Sequence, residues 1–151
     1  MDKNKIKSFA VWARRNLIGA VKDRARYIGI FIDDKGKYNE LKAEPVQGGF
    51  KLEGVDGIFK LSFNDRKALL DKIKSYDDKI EGFEQAMEEV AYTWFNRFMG
   101  IRYMEVNEYL PIGIRVLSSE VEGKTEPDVL TRVSEVIDEL GLNAEYIYPF
   151  R

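Results

Sequence analysis

The chain has 151 residues, 44% of them hydrophobic and 33% charged, with a net charge of −2, which suits one domain with its own core and an ordinary globular composition. It contains no cysteine and no histidine, so disulfides, thiolate metal sites and the usual general base near neutral pH are excluded. Oxygen-only metal sites remain, but no Asp-rich stretch has the spacing of a calcium loop.

The net charge hides a split. Residues 1–28 hold eight bases (Lys3, Lys5, Lys7, Arg14, Arg15, Lys22, Arg24 and Arg26) and two acids (Asp2 and Asp23), while the whole chain has 24 bases and 26 acids. The remainder is therefore acidic. A basic segment of this kind serves either as an arm for nucleic acid or as a helix packed beside acidic ones.

Residues 3–28 read as one long amphipathic helix. Ile6, Phe9, Ala10, Ala13, Leu17, Ala20, Val21, Tyr27 and Ile28 share a face at helical spacing. Lys7, Val11, Arg15, Ile18, Lys22 and Arg26 lie opposite, a basic stripe with two apolar members that suit contact with something other than water. Gly29 lets the helix stop.

The period then changes. Ile30–Ile32 and Lys37–Leu41 flank Asp33-Asp34-Lys35-Gly36, which reads as a short hairpin or an irregular excursion. Pro45 and Gly48-Gly49 are read as breaks. Phe50-Lys51-Leu52 and the run from Phe59 to Phe63 alternate apolar with polar around Gly54-Val55-Asp56-Gly57, so a second hairpin is expected between them.

From Asn64 helices return. Asn64 or Asp65 is the expected cap of a helix to about Tyr76, with Leu69, Leu70 and Ile73 inward. The next helix is expected from about Gly82 to Tyr109, closed by Leu110-Pro111-Ile112-Gly113. Ile114 to Leu117 is strand-like. Thr125-Glu126-Pro127-Asp128 has the pattern of a capping box opening a helix to Leu140 that Gly141 ends. Leu142 to Arg151 shows no purpose of its own and reads as the boundary of a fragment. The fold class expected is α+β, mainly helical, with long amphipathic helices and two small β-hairpins.

On the long helix, Met87, Ala91, Trp94, Phe95, Phe98, Met99, Val106 and Tyr109 share one broad face, the spacing of a core. The aromatics could also stack on unpaired bases, given exposure that this spacing does not favour. Arg102 projects into that face and needs a carboxylate or a carbonyl, with Glu105 the local candidate; the other reading is that it holds the next domain or a phosphate. Asn96, Arg97 and Tyr103 face away from the apolar stripe and are candidates for touching a neighbouring domain.

The run Ala-Tyr-Thr-Trp-Phe-Asn-Arg-Phe-Met-Gly-Ile-Arg-Tyr-Met-Glu, Ala91 to Glu105, closely resembles the helical signature ahead of the catalytic domain in BREX-type adenine-specific DNA methyltransferases of phage-defence systems. Related restriction–methyltransferase fusion enzymes carry it too. Residues 5–30, a basic helix running into Ile-Gly-Ile, also look like the start of those proteins. The resemblance implies that residues 1–151 form a single N-terminal helical domain, a fragment of a larger methyltransferase. The parent would use S-adenosylmethionine, and its partners would be DNA, the methyltransferase domain of the same chain and other defence-system proteins, with no membrane.

The family's catalytic residues cannot be carried over. Its Asn/Asp-Pro-Pro-Tyr/Phe motif, which receives a flipped adenine, is missing, because Pro45, Pro111, Pro127 and Pro149 are never adjacent. No two glycines are spaced i, i+2, so the glycine-rich cofactor loop is missing as well. Glu122-Gly123-Lys124 has the letters of a nuclease tripeptide, at a level that chance supplies. The expectations are thus no catalytic, cofactor-binding or metal residues in the fragment. Lys7, Arg15, Lys22, Arg26, Asn96, Arg97, Arg102 and Tyr103 are the candidates for DNA or interdomain contact. Two rival readings use the same residues: a stand-alone DNA-binding module working through the basic helix, and a scaffold docking a partner through Val11, Ile18 and Tyr103. The first residues, Met-Asp-Lys-Asn-Lys, lead into no signal segment, and no run approaches the ~18 apolar residues of a membrane span, so a cytoplasmic location is expected.

Overall fold

Helix α1 runs from Lys3 to Tyr27, and its first turn is capped by Asp2, whose carboxylate accepts from the Asn4 N–H at 3.0 Å. It ends where Gly29 turns to φ +78°, a conformation that glycine adopts without steric cost. The computed structural model describes residues 2–141; the stretch 142–151, read above as a fragment boundary, lies outside the described residues. The chain falls into two compact units, Met1–Phe95 and Asn96–Arg151.

In the first unit, β1 (Ile30–Ile32) pairs antiparallel with β2 (Tyr38–Glu40), Phe31 lying opposite Asn39. Asp33 closes the turn by accepting from the N–H groups of Lys35 and Lys37 at 3.0 and 2.9 Å. The second hairpin forms with a different partner from the expected one: β3 (Ala43–Val46) pairs with β4 (Gly49–Leu52), and Gln47-Gly48 is its turn. Phe59 reaches β4 only as a single bridge, exchanging both backbone hydrogen bonds with Phe50 at 3.1 and 2.8 Å. That explains why Pro45 is tolerated. Phe50 spends its N–H and C=O on Phe59, so Pro45, directly opposite on the other side, faces no ladder bond that it would have to donate.

Helix α2 (Phe63–Lys74) is capped by Ser62, whose hydroxyl accepts from the Asp65 N–H, two or three positions before the expected cap. Helix α3 spans Lys79–Val106. The unit's main core joins Ala25 of α1, Ile30 of β1, Leu70 and Ile73 of α2, and Phe83, Ala86 and Met87 of α3. A satellite of Phe50, Leu52 and Phe59 sits under the second hairpin, with the Phe50 and Phe59 rings stacked at 5.5 Å. Burying each of the larger side chains stabilises by roughly 1.5–3 kcal/mol. The buried Arg66 sits at the junction. Its guanidinium donates to the carbonyls of Ile28 (2.9 Å) and Leu41 (2.6 Å), groups left over at the end of α1 and after β2.

The core engages only part of α1. Residues 2–12 are exposed throughout, including Ile6, Phe9 and Ala10 of the face expected to point inward. The helix outruns its core, which meets it at Val21, Ala25 and Ile28.

In the second unit, α3 ends in a Schellman motif: Tyr109 N–H donates to Met104 O at 2.8 Å and Glu108 N–H to Glu105 O at 3.3 Å. The left-handed residue is Glu108, at φ +58°. Residues 114–117, expected as a strand, are irregular, and the N–H groups of Val116 and Leu117 are taken by the Glu105 side chain. The helix expected to open at Thr125-Glu126-Pro127-Asp128 and run to Leu140 is two short pieces, α4 (Asp128–Thr131) and α5 (Val133–Val136). The capping box does not form: Pro127 makes no side-chain cap, the Asp128 carboxylate turns to the preceding loop, and Arg132 at φ −116°, ψ 20° interrupts the helix. The observed class is mainly helical α+β with two small two-stranded sheets.

Candidate functional site

The basic stripe of α1 splits in two. Lys22 donates to Glu84 of α3 at 2.7 Å, and Arg26 donates to the Ile32 carbonyl at 3.2 Å while its guanidinium lies over the Phe31 ring. Arg14, on the same helix, is paired with Glu88. These three are engaged within the unit. Lys7 and Arg15 are exposed, and with Ser8, Val11 and Trp12 they line an open groove of about 400 Å³. Trp12 keeps 61% of its surface in water, with the Phe9 ring beside it at 6.0 Å. Trp12 did not emerge from the sequence reading. The available signal was its phase: a large indole off the apolar stripe, one turn from Ser8 and Asn16.

A second cavity of the first unit, about 210 Å³ and mostly apolar, lies between α1 and α3. It is lined by Ala10, Arg14, Glu88, Ala91, Tyr92 and Phe95.

On the second unit's part of α3, Asn96, Arg97 and Tyr103 are all exposed. Asn96, Met99, Tyr103 and Val106 recur at alternating spacings of three and four residues, which puts them on one face. Tyr103 keeps 63% and Val106 61% of their surfaces, and the Tyr103 ring meets Tyr109 edge-on at 6.2 Å. The aromatic core expected on this helix is only partly realised: Phe95 and Phe98 are half-buried, while Trp94 is 43% exposed. Apolar residues surround so much of α3 that no single partner surface covers them all.

Arg102 forms the internal ion pair with Glu105, with burial reversed from the expectation. The carboxylate is the buried member, and the arginine side chain is 44% exposed. Glu105 Oε2 accepts from the N–H groups of Val116 (2.8 Å) and Leu117 (2.7 Å), and Oε1 from Ser118 Oγ (2.5 Å) and from Arg102. Burial by itself pushes the Glu105 carboxyl up. The hydrogen bonds from Ser118, Leu117, Arg102 and Val116 together outweigh that and hold it below the usual carboxylate range.

Asp128 grips the next residues in the same way, accepting from Ser119 Oγ at 2.6 Å and the Glu120 N–H at 2.8 Å. The Ser119 bond is the largest cause of its lowered pKa. Two carboxylates thus hold the backbone from Val116 to Glu120. Beside them a cavity of about 260 Å³ is bordered by Glu105, Glu108, Ile114, Arg115 and Glu120.

Among the described residues, no buried side-chain nitrogen or oxygen lacks a hydrogen-bond partner, and no group of His, Cys, Asp or Glu could hold a metal ion. The nuclease-like tripeptide does not converge either: Lys124 donates to Thr131 at 3.2 Å, and Glu122 is exposed in a turn. Among the described residues, no helix is long and apolar enough to cross a membrane.

Along nearly its whole length the chain is similar to adenine-specific methyltransferases, the class to which the Ala91–Glu105 signature pointed. One relative is the adenine-specific methyltransferase PglX of Lacticaseibacillus casei (strain Zhang), 38% identical over 148 residues, a match covering 93% of this chain and 12% of that protein. Another is the adenine-specific methyltransferase BrxX of Escherichia coli O9:H4 (strain HS), 37% identical over 140 residues, covering 93% of this chain and 11% of that protein. The chain therefore spans about an eighth or less of the length of the curated relatives it matches. No protein-family model matches it.

Proposed function

We propose that residues 1–151 act as a non-catalytic, N-terminal module of a BREX-type adenine-specific DNA methyltransferase, in phage defence or restriction–modification in the cytoplasm. The module supports the catalytic domain and touches the DNA backbone. The observation that carries this reading is the match over 93% of the chain to 11–12% of each relative, in a sequence without an Asn-Pro-Pro-Tyr motif or a glycine-rich cofactor loop. S-adenosylmethionine and transfer to adenine N6 belong to the rest of the parent. Lys7 and Arg15 are the DNA contacts, since Lys22 and Arg26 are engaged within the unit.

The test is a titration of the isolated chain. Calorimetry with millimolar S-adenosylmethionine is expected to show no saturable heat. Duplex DNA is expected to bind without sequence preference, no tighter than ~10⁻⁴–10⁻⁶ M and weaker with added salt. The double variant Lys7→Glu, Arg15→Glu should abolish that binding with the helical content unchanged. Saturable cofactor binding would remove the non-catalytic role, and DNA binding that survives both substitutions would remove the α1 contact.

A second, compatible role rests on the exposed Asn96, Met99, Tyr103 and Val106 face. It is the surface for the methyltransferase domain or another defence protein, with Arg97 and Arg102 at its margins. Tyr103→Asp should then release the module from the separately expressed remainder of the parent; unchanged association would discard this role.

A further inference from the structure

We propose that Trp12, with Lys7 and Arg15, forms a stacking platform for an unpaired base of single-stranded DNA. This rests on the reading above that the exposed face of α1 meets DNA, and it adds which form of DNA that face prefers.

The first observation is the segregation of charge around one helix. Between Asp2 and Asp23 the sequence has no acid and six bases: Lys3, Lys5, Lys7, Arg14, Arg15 and Lys22. Arg14 and Lys22 turn to Glu88 and Glu84 of α3 and are neutralised there. Lys7 and Arg15 are instead in the open groove that contains Trp12. The local field on that side is positive and complementary to a polyanion.

The second observation is the indole itself. Trp12 is 61% exposed within the groove, and Phe9, 44% exposed, sits beside it with its ring tilted by 31°. Two large aromatic rings in water on a cationic face offer an apolar surface and a charged one together, the pairing that single-stranded nucleic acid uses, since every unpaired base has a face to stack. Lys7 and Arg15 are eight residues apart, about 12 Å along the helix axis. They can therefore hold the phosphates on either side of a base seated on Trp12. A duplex keeps its base faces in its own stack, so it engages the two cations and leaves the indole unused.

The experiment uses the intact chain with Trp94→Phe, which leaves Trp12 as its one tryptophan. A short oligothymidylate and a duplex with the same number of phosphates are titrated at low salt, following indole emission and the anisotropy of a labelled strand. The expected result is quenching by the single strand and about tenfold tighter binding of it than of the duplex. Trp12→Ala should remove that preference while duplex affinity stays. Equal affinities, or an emission unchanged by the bound single strand, would overturn this inference and leave the module's DNA contact standing. Failure of both DNA forms to bind would overturn both. Binding to anionic phosphatidylserine vesicles with no response to oligonucleotides would assign the face to a lipid surface and overturn the proposal.

Discussion

The two units satisfy irregular backbone with buried charge of opposite sign. In the first, stranded carbonyls at the end of α1 and after β2 are collected by a cation, Arg66, through Ile28 and Leu41. In the second, stranded N–H groups at Val116, Leu117 and Glu120 are collected by anions, Glu105 and Asp128. A loop without a ladder partner must find one elsewhere, and the sign of the buried side chain follows from which backbone group is left over. The first unit adds an apolar core around this device. In the second, the described buried apolar residues are Ile114, Val133 and Val136, so the polar clamp carries more of the burden.

Removing the charges tests the comparison most strongly. Glu105→Leu leaves two backbone donors and the Ser118 hydroxyl without their acceptor, and should cost the second unit about 3–5 kcal/mol. Arg66→Met should cost the first unit about 2–4 kcal/mol, somewhat less because carbonyls tolerate under-satisfaction better. Denaturation followed by site-resolved amide exchange separates the two. A loss under ~1 kcal/mol in either variant would mean that the charge only accompanies the fold.

Acid should then separate the units. Glu105 and Asp128 are both held below their ordinary range. Such a carboxylate contributes stability above its unfolded value, near pH 4, and loses it as pH falls through the folded value. Arg66 stays charged throughout. Protection at Val116, Leu117 and Glu120 should therefore fall below about pH 4 before protection at Ile30 and Ile73. In the first unit, Asp33 is lowered chiefly by the Lys37 N–H and then by Asn39, and its loss should touch only the turn between β1 and β2. Simultaneous loss at all these amides would break the contrast.

The same substitution at two points of α3 should have opposite signs. A Cβ at Gly82 would stand 2.3 Å from the Ile73 carbonyl, whereas one at Gly100 meets nothing within 4 Å. Gly82→Ala should destabilise by about 1–3 kcal/mol through overpacking, and Gly100→Ala should stabilise by about 0.5–1 kcal/mol. Thermal melts of the two variants shifting in the same direction would refute the close approach of α2 and α3. The smallest effect expected is at Glu108. Relieving its φ of +58° with glycine should gain about 0.5 kcal/mol, the balance of removed strain against added chain freedom. A measurable loss would show that the Glu108 side chain contributes more than its strain costs.

Much of the fold was legible because it is local. The 3.6-residue period set α1 to within a residue of its end, and turn residues announced the first hairpin. The second hairpin was assigned the wrong partner because Pro45 reads as a breaker unless it is known which side of Phe50 is already paired. Arg102 stood out as a charge in an apolar stripe, yet the buried member of that pair is Glu105. Nothing local distinguishes the carboxylate whose partners come from residues 116–118.

The sequence by itself determined the three long helices, the class and, through the Ala91–Glu105 run, the relatives, because periodicity and motif are properties of neighbours along the chain. Only the tertiary structure decided which charges of the α1 stripe are engaged and which remain open beside Trp12, and which acids became clamps. Those outcomes depend on groups many residues apart, such as Lys22 with Glu84 and Asp128 with Ser119. A charge becomes a contact or a strut according to what the fold brings within hydrogen-bonding distance of it.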